Sequence, residues 1–139
     1  MQRLYTAVAR VTGGRNGRAT IEDRPGDLDI ASPLGMGGSG QGFNPEQLFA
    51  LAYGACFGSA LDLEARQQGI ALAEVTVSPH VSIGHGDDGH FMLSIALHVR
   101  LPELDTLTAE RLMEAAHLGC PYSRMTRGTV EVQLVLEQP

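Results

Sequence analysis

Two cysteines, an arginine and a glutamate in this 139-residue chain are of the types and spacing that redox chemistry needs. Cys56 lies in LFALAYGACFGSAL, residues 48–61, which carries no charged side chain, and Cys120 follows 64 positions later in GCPYSR. The thiolate is the nucleophile, and apolar surroundings raise a cysteine above its free pKa of about 8.5. Cys56 by itself is therefore inert. A fixed cation reverses this, and Arg18, in the hairpin turn of GGRNGRA, offers a guanidinium that keeps its charge. Such an arginine needs a partner. Glu46 is the candidate, because Glu46, Phe49, Tyr53 and Cys56 recur at spacings of three, four and three, one ridge of a helix. Ten residues of helix rise about 15 Å, so a second, antiparallel copy of the helix is needed to bring one subunit's Glu46 toward the other's Cys56. Cys120 precedes Pro121, a first-turn residue, and at a helix N-terminus backbone amides favour thiolate. A sulfenic acid formed on Cys56 can condense with a second thiol to a disulfide. The residues alone leave two readings open, a redox couple or two inert core thiols.

Other chemistries find less support. His85 and His90 flank Asp87 and Asp88 without the ligand spacing of a closed metal site, and the segment reads as a solvated turn with no metal. The glycine-rich segment 32–44 lacks the Lys-Ser/Thr of a phosphate loop and reads as a flexible flap beside a helix. Neither a Gly-x-Ser-x-Gly elbow nor a Cys-x-x-Cys motif occurs, and two cysteines cannot build a disulfide framework or a four-cysteine zinc site. The net charge of −6 argues against nucleic acid or anionic lipid as a partner. The N-terminus lacks the pattern of a signal peptide, and residues 48–61 fall short of the roughly 20 needed to cross a bilayer. A cytoplasmic protein without a membrane span is expected.

The elements that must position these groups follow from periodicity and turn chemistry. The length suits a single domain over 1–139. Residues 3–12 alternate as a strand, Asn16-Gly17 supplies a turn, and ATIE and DLDI continue as strands. Asn44-Pro45-Glu46 starts a helix that runs to about Gln68 and stops at Gly69. Its first half is apolar all round, so every face needs cover, and Gly54, Gly58, Ser59 and Ala60 would admit a second helix. EVTVSPHVSIG and HFMLSIALHVRL form a hairpin across GDDG, residues 108–119 a helix capped by Thr108 and stopped by Gly119, and TVEVQLVLE a final strand. The order predicts an α+β fold with antiparallel sheet around a long central apolar helix.

GGRNGRA, NPEQLFALAYGACF and CPYSRMTRG, in that order and spacing, resemble the signature of the organic hydroperoxide resistance (Ohr) branch of the OsmC family. The likeness runs from the first hairpin to the last strand. It implies an OsmC-like fold, an intertwined homodimer with two active sites, and reduction of alkyl and fatty-acid hydroperoxides to alcohols. By the same resemblance Cys56 is the peroxidatic cysteine, Cys120 the resolving one, and Arg18 with Glu46 the activating pair. No resident cofactor is implied, only an external dithiol reductant, dihydrolipoamide or a lipoylated protein. Phe49, Tyr53, Phe57 and Met36 are candidates for an apolar substrate mouth. Phe43 and Met125 are larger than the resemblance leads one to expect near that pocket. From another class stands a redox-sensing or ligand-binding homodimer whose cysteines pair without turnover.

Overall fold

The computed structural model describes residues 1–137. The chain gathers into two compact units, Met1–Leu48 and Phe49–Pro139.

In the first unit, β1 (Ala9–Thr12) pairs antiparallel with β2 (Gly17–Ile21), which pairs antiparallel with β3 (Leu28–Ile30). The hairpin turn is Gly13–Asn16, closed by the Asn16 N–H donating to the Gly13 carbonyl at 3.1 Å. Gly13 and Gly14 take the positive φ values, 85° and 58°. The turn therefore lies N-terminal to the Asn16-Gly17 step read from sequence. Gly17 instead opens β2, where a Cβ would collide with the Thr12 carbonyl. Arg15, not Arg18, thus occupies the turn. The glycine-rich segment after β3 contains a 3-10 turn, Leu34–Met36. It is no free flap, because Ala31 N–H donates to the Phe43 carbonyl at 3.1 Å and Phe43 N–H to that of Asp29 at 2.8 Å.

The long helix α1 spans Pro45–Gln67. Asn44 Oδ1 accepts the Gln47 N–H at 2.9 Å while Gln47 Oε1 accepts the Asn44 N–H at 3.0 Å. This reciprocal cap satisfies two orphan amides, and Pro45 needs none. At the other end Gly69 turns left-handed, with φ 70°.

The second unit holds a sheet in the order β4 (Thr76–His85), β5 (Phe91–Arg100), β6 (Val132–Leu136). β4 and β5 form the expected antiparallel hairpin, whereas β6 runs parallel to β5. The chain crosses over between them through α2 (Thr106–Gly119) and α3 (Pro121–Thr126), as a parallel pair requires. α2 is capped by Asp105, whose carboxylate accepts the Thr108 N–H at 3.0 Å and the Thr108 hydroxyl at 2.7 Å. Thr108 is therefore a donor to the cap rather than the cap.

Tyr53, Phe57, Leu61 and Ala65 recur every four residues along α1 and are fully buried. They share one core with Ile95, Leu97 and Val99 of β5 and Leu112, Met113 and Ala116 of α2. Burying each large side chain contributes about 1.5–3 kcal/mol. α1 is long and apolar enough to cross a bilayer by length and composition, yet this stripe is spent on a protein core.

Gly54 and Gly58 of α1 face the sheet rather than a second helix, while Ser59 stays exposed. A Cβ on Gly54 would lie 3.2 Å from the Pro79 ring carbons, and one on Gly58 3.8 Å from a Val77 methyl. Ala60 packs into the same core. The opposite stripe of Leu51, Ala55 and Ser59, with Leu63, stays exposed, so the chain by itself covers one side of the helix. Gly54→Leu is expected to overpack this seam and destabilise the fold by about 1–3 kcal/mol in urea unfolding. Gly58→Ala meets only an ordinary contact and gains helix propensity, so its midpoint should rise or hold. An unchanged midpoint in Gly54→Leu would contradict the close α1–β4 seam.

Candidate functional site

Cys56 on α1 and Cys120 at the start of α3 are brought together, with their sulfurs 3.6 Å apart. Both thiols are free, Cys56 half-buried and Cys120 buried. A disulfide needs about 2.05 Å, so the pair stands a small side-chain movement from bonding. Cys120 joins two helices: its N–H donates to the Ala116 carbonyl at 2.8 Å, and its carbonyl accepts the Arg124 N–H at 2.9 Å. Pro121 takes the first helical position, as its missing N–H allows. Burial pushes the Cys56 thiol above its ordinary pKa, and the adjacent Cys120 sulfur, which would repel a second negative charge, adds to this. The Tyr122 backbone N–H, aimed at the Cys56 sulfur, opposes both.

Beside the thiols lies an aromatic cluster. Tyr122 stacks on Phe49 with centroids 6.0 Å apart and planes at 12°, and meets Tyr53 at 5.7 Å, tilted by 54°. Tyr53 and Phe57 have no exposed surface, so these two expected mouth residues are core instead. Phe49 is half-buried, and Tyr122 is a neighbour that the sequence reading missed although it follows Cys120 by two residues. Met36 lies exposed in the 3-10 turn of the first unit. Phe43 and Met125 are both exposed, so neither enlarges a packed core position.

The expected Arg18–Glu46 pair is not formed. Arg15 holds Glu46 through a two-pronged pair, Nη1 to Oε2 at 2.9 Å and Nη2 to Oε1 at 2.6 Å. The Glu46 side chain is only 12% exposed, and the bonds from Arg15 hold its carboxyl below the ordinary range against the opposing effect of burial. Arg18 lies on β2 directly opposite Asp29, and its guanidinium faces Asp29 at 3.4 Å and Asp27 at 3.7 Å. With its side chain 68% exposed, it belongs to a solvated cross-strand cluster. The cause is the turn: with Gly13–Asn16 as the reversal, Arg15 projects from the tip and Arg18 falls into the ladder.

Among the described residues no three of His, Cys, Asp and Glu gather to hold a metal. Around the 86–89 turn, Asp88 accepts the His90 N–H at 3.0 Å and His85 stacks on Phe91, so the segment is built as a turn.

The family described as OsmC-like protein matches residues 38–135. An organic hydroperoxide resistance protein of Xanthomonas axonopodis pv. citri is 42% identical over 135 residues, 96% of this chain and 94% of its own. The organic hydroperoxide resistance protein OhrB of Bacillus subtilis is also 42% identical, over 96% of this chain and 98% of its own. Its crystal structure matches with a TM-score of 0.89 over 97% of this chain and all of that one, at 41% identity. That of an organic hydroperoxide resistance protein from Legionella pneumophila matches at 0.92, with 42% identity, over 98% and 99% of the two chains. The thiol pair and the two-pronged Arg15–Glu46 pair thus sit in a fold shared along its whole length with these relatives, and the chain belongs to the OsmC family, among its organic hydroperoxide resistance proteins.

Proposed function

We propose that this protein is a thiol peroxidase that reduces organic hydroperoxides to alcohols, in the cytoplasm. The observation that carries the reading is the pair of free thiols 3.6 Å apart, one half-buried and one buried. The Cys56 thiolate attacks the terminal peroxide oxygen, the O–O bond breaks, and the alkoxide leaves and takes up a proton as alcohol. Cys56 is then a sulfenic acid. The Cys120 sulfur attacks it, an S–S bond forms, and water leaves. An external dithiol reduces the disulfide. Membership of the family favours dihydrolipoamide or a lipoylated protein for that role. Phe49 and Tyr122 offer apolar faces to the alkyl group of the substrate.

Within one chain Cys56 is pushed toward the neutral thiol, so the thiolate needs a cation. Arg15 fits the task better than Arg18, because Glu46 fixes its fork and leaves donors on its other edge. The reading places this pair against the thiol of a second copy. The exposed stripe of Leu51, Ala55 and Ser59 runs beside Cys56, and its small residues allow a close helix approach. A homodimer covers that stripe.

Three measurements test this. Cys56→Ser is expected to abolish peroxide consumption, while Cys120→Ser completes one turnover and then accumulates Cys56 sulfinic acid, read by mass spectrometry. Peroxide reduction persisting in Cys56→Ser would reverse the roles. Multiple turnovers of the wild type with dihydrolipoamide separate an enzyme from a sensor that pairs its cysteines once.

Arg15→Lys is expected to lose roughly tenfold to a hundredfold in kcat/KM, the value of one positioned charge-assisted bond, because an ammonium cannot span carboxylate and sulfur together. Arg18→Lys should stay near wild type. The Glu46 pKa is lowered in the folded chain, so the pair is intact above the carboxylate range and is lost as pH falls through that lowered value. Activity should therefore not fall on account of Glu46 between neutrality and about pH 5. Equal losses in the two lysine variants would remove the distinction drawn between the arginines.

Sedimentation at micromolar concentration should give a dimer, and Leu51→Glu a monomer with slowed Cys56 alkylation at neutral pH. An active wild-type monomer would refute the need for a second copy.

A further inference from the structure

α1 and α3 are joined by two rungs. On α1, Tyr53 and Cys56 are three residues apart, and on the α3 segment so are Cys120 and Ser123. Cys56 meets Cys120, and Tyr53 meets Ser123, its phenol oxygen 2.9 Å from the Ser123 hydroxyl. The same phenol lies 3.5 Å from the Thr126 hydroxyl, which itself donates to the Ser123 carbonyl at 3.1 Å. One consistent proton order runs through all of them: Ser123 donates to Tyr53, Tyr53 to Thr126, and Thr126 to the backbone of Ser123. Tyr53 and Ser123 are fully buried and Thr126 nearly so. Four residues on, at the next turn of the same stripe, α1 uses Phe57. The core therefore accepts an aromatic ring without a hydroxyl, and the phenol at position 53 answers to α3.

α3 is six residues long, too short to hold its shape without tertiary bonds. It carries both Cys120 at its cap and Tyr122, whose N–H faces Cys56. We propose that Tyr53 is a positioning residue for the resolving step, its hydroxyl pinning Ser123 and Thr126 so that Cys120 is held within reach of Cys56.

The proposal rests on the peroxidase reading and concerns one branch point in it. The Cys56 sulfenic acid either loses water to the Cys120 thiol and becomes a disulfide, or attacks a second hydroperoxide, releasing alcohol and becoming sulfinic acid. Both fates start from the same species. Their ratio is independent of how fast the sulfenic acid forms and of how much protein is folded.

The experiment exposes reduced wild type, Tyr53→Phe, Ser123→Ala, the double variant and Thr126→Ser to excess tert-butyl hydroperoxide, with the two Cys56 products counted by mass spectrometry. Tyr53→Phe and Ser123→Ala are each expected to shift the ratio toward sulfinic acid by about tenfold, the scale of one hydrogen bond. The double variant should be no worse than the more affected single one, since both remove the same bond. Thr126→Ser, which keeps the hydroxyl, should match wild type. An unchanged ratio in Tyr53→Phe, or losses that multiply in the double variant, would overturn the proposal. Closure of the reduced thiols by diamide, without peroxide, is measured on the same proteins and should slow in the same two variants. Wild type that closes with diamide but forms no sulfenic acid with peroxide would sink the peroxidase reading, while equal diamide rates across the variants would sink the role of Tyr53.

Discussion

The orientation of α1 on its sheet is the constraint from which the site follows. Tyr53, Phe57, Leu61 and Ala65 fix which side of the helix is inward, and the absent side chain at Gly54 sets how close Pro79 of β4 comes. With that side committed, Cys56 stands at the edge of the core, half-buried, one position before the deeply buried Phe57. Rotation of the helix by one residue would either sink the thiol into the core or turn it fully to solvent.

Much of this arrangement is legible in the sequence where local chemistry and burial agree. Asn44-Pro45 marks the start of α1 and Gly69 its end, and the alternating runs about GDDG give β4 and β5. The departures arise where two local signals compete. Gly13-Gly14 and Asn16-Gly17 both favour a hairpin turn, and only the pairing of Thr12 with Arg18 chooses between them. That choice makes Arg15, rather than Arg18, the partner of Glu46. Asp105 and Thr108 are both good caps, and the carboxylate prevails with Thr108 as its donor. Alternation marks β6 as a strand but carries no information on its direction, which the α2–α3 crossover imposes. Glycines on a helix signal close approach without naming the neighbour, here β4.

Electrostatics treat Cys56 and Arg15 differently. Burial and a neighbouring sulfur push the Cys56 thiol above its ordinary pKa, while the Arg15 guanidinium is tied to Glu46, near the start of the same helix, by two bonds. Glu46 looks at first like a competitor for that charge. A carboxylate that grips one edge of the guanidinium by two bonds also fixes where the remaining donors point, which a free arginine side chain would do only at the expense of its rotamer entropy.

Exposure then orders the chemistry. Of the two sulfurs, Cys56 is half-buried and Cys120 has no exposed surface, so in the proposed mechanism a peroxide meets Cys56 first. A resolving thiol gains from such burial, because it stays clear of oxidant until its partner has reacted. It must then be close already, since a buried group cannot travel far through a packed core. The separation of 3.6 Å meets that condition, and Cys120 caps α3, a helix too short to hold its shape without tertiary bonds. In the proposed mechanism the polar bonds that fasten α3 to α1 thereby bear on the chemistry although they lie away from the thiols.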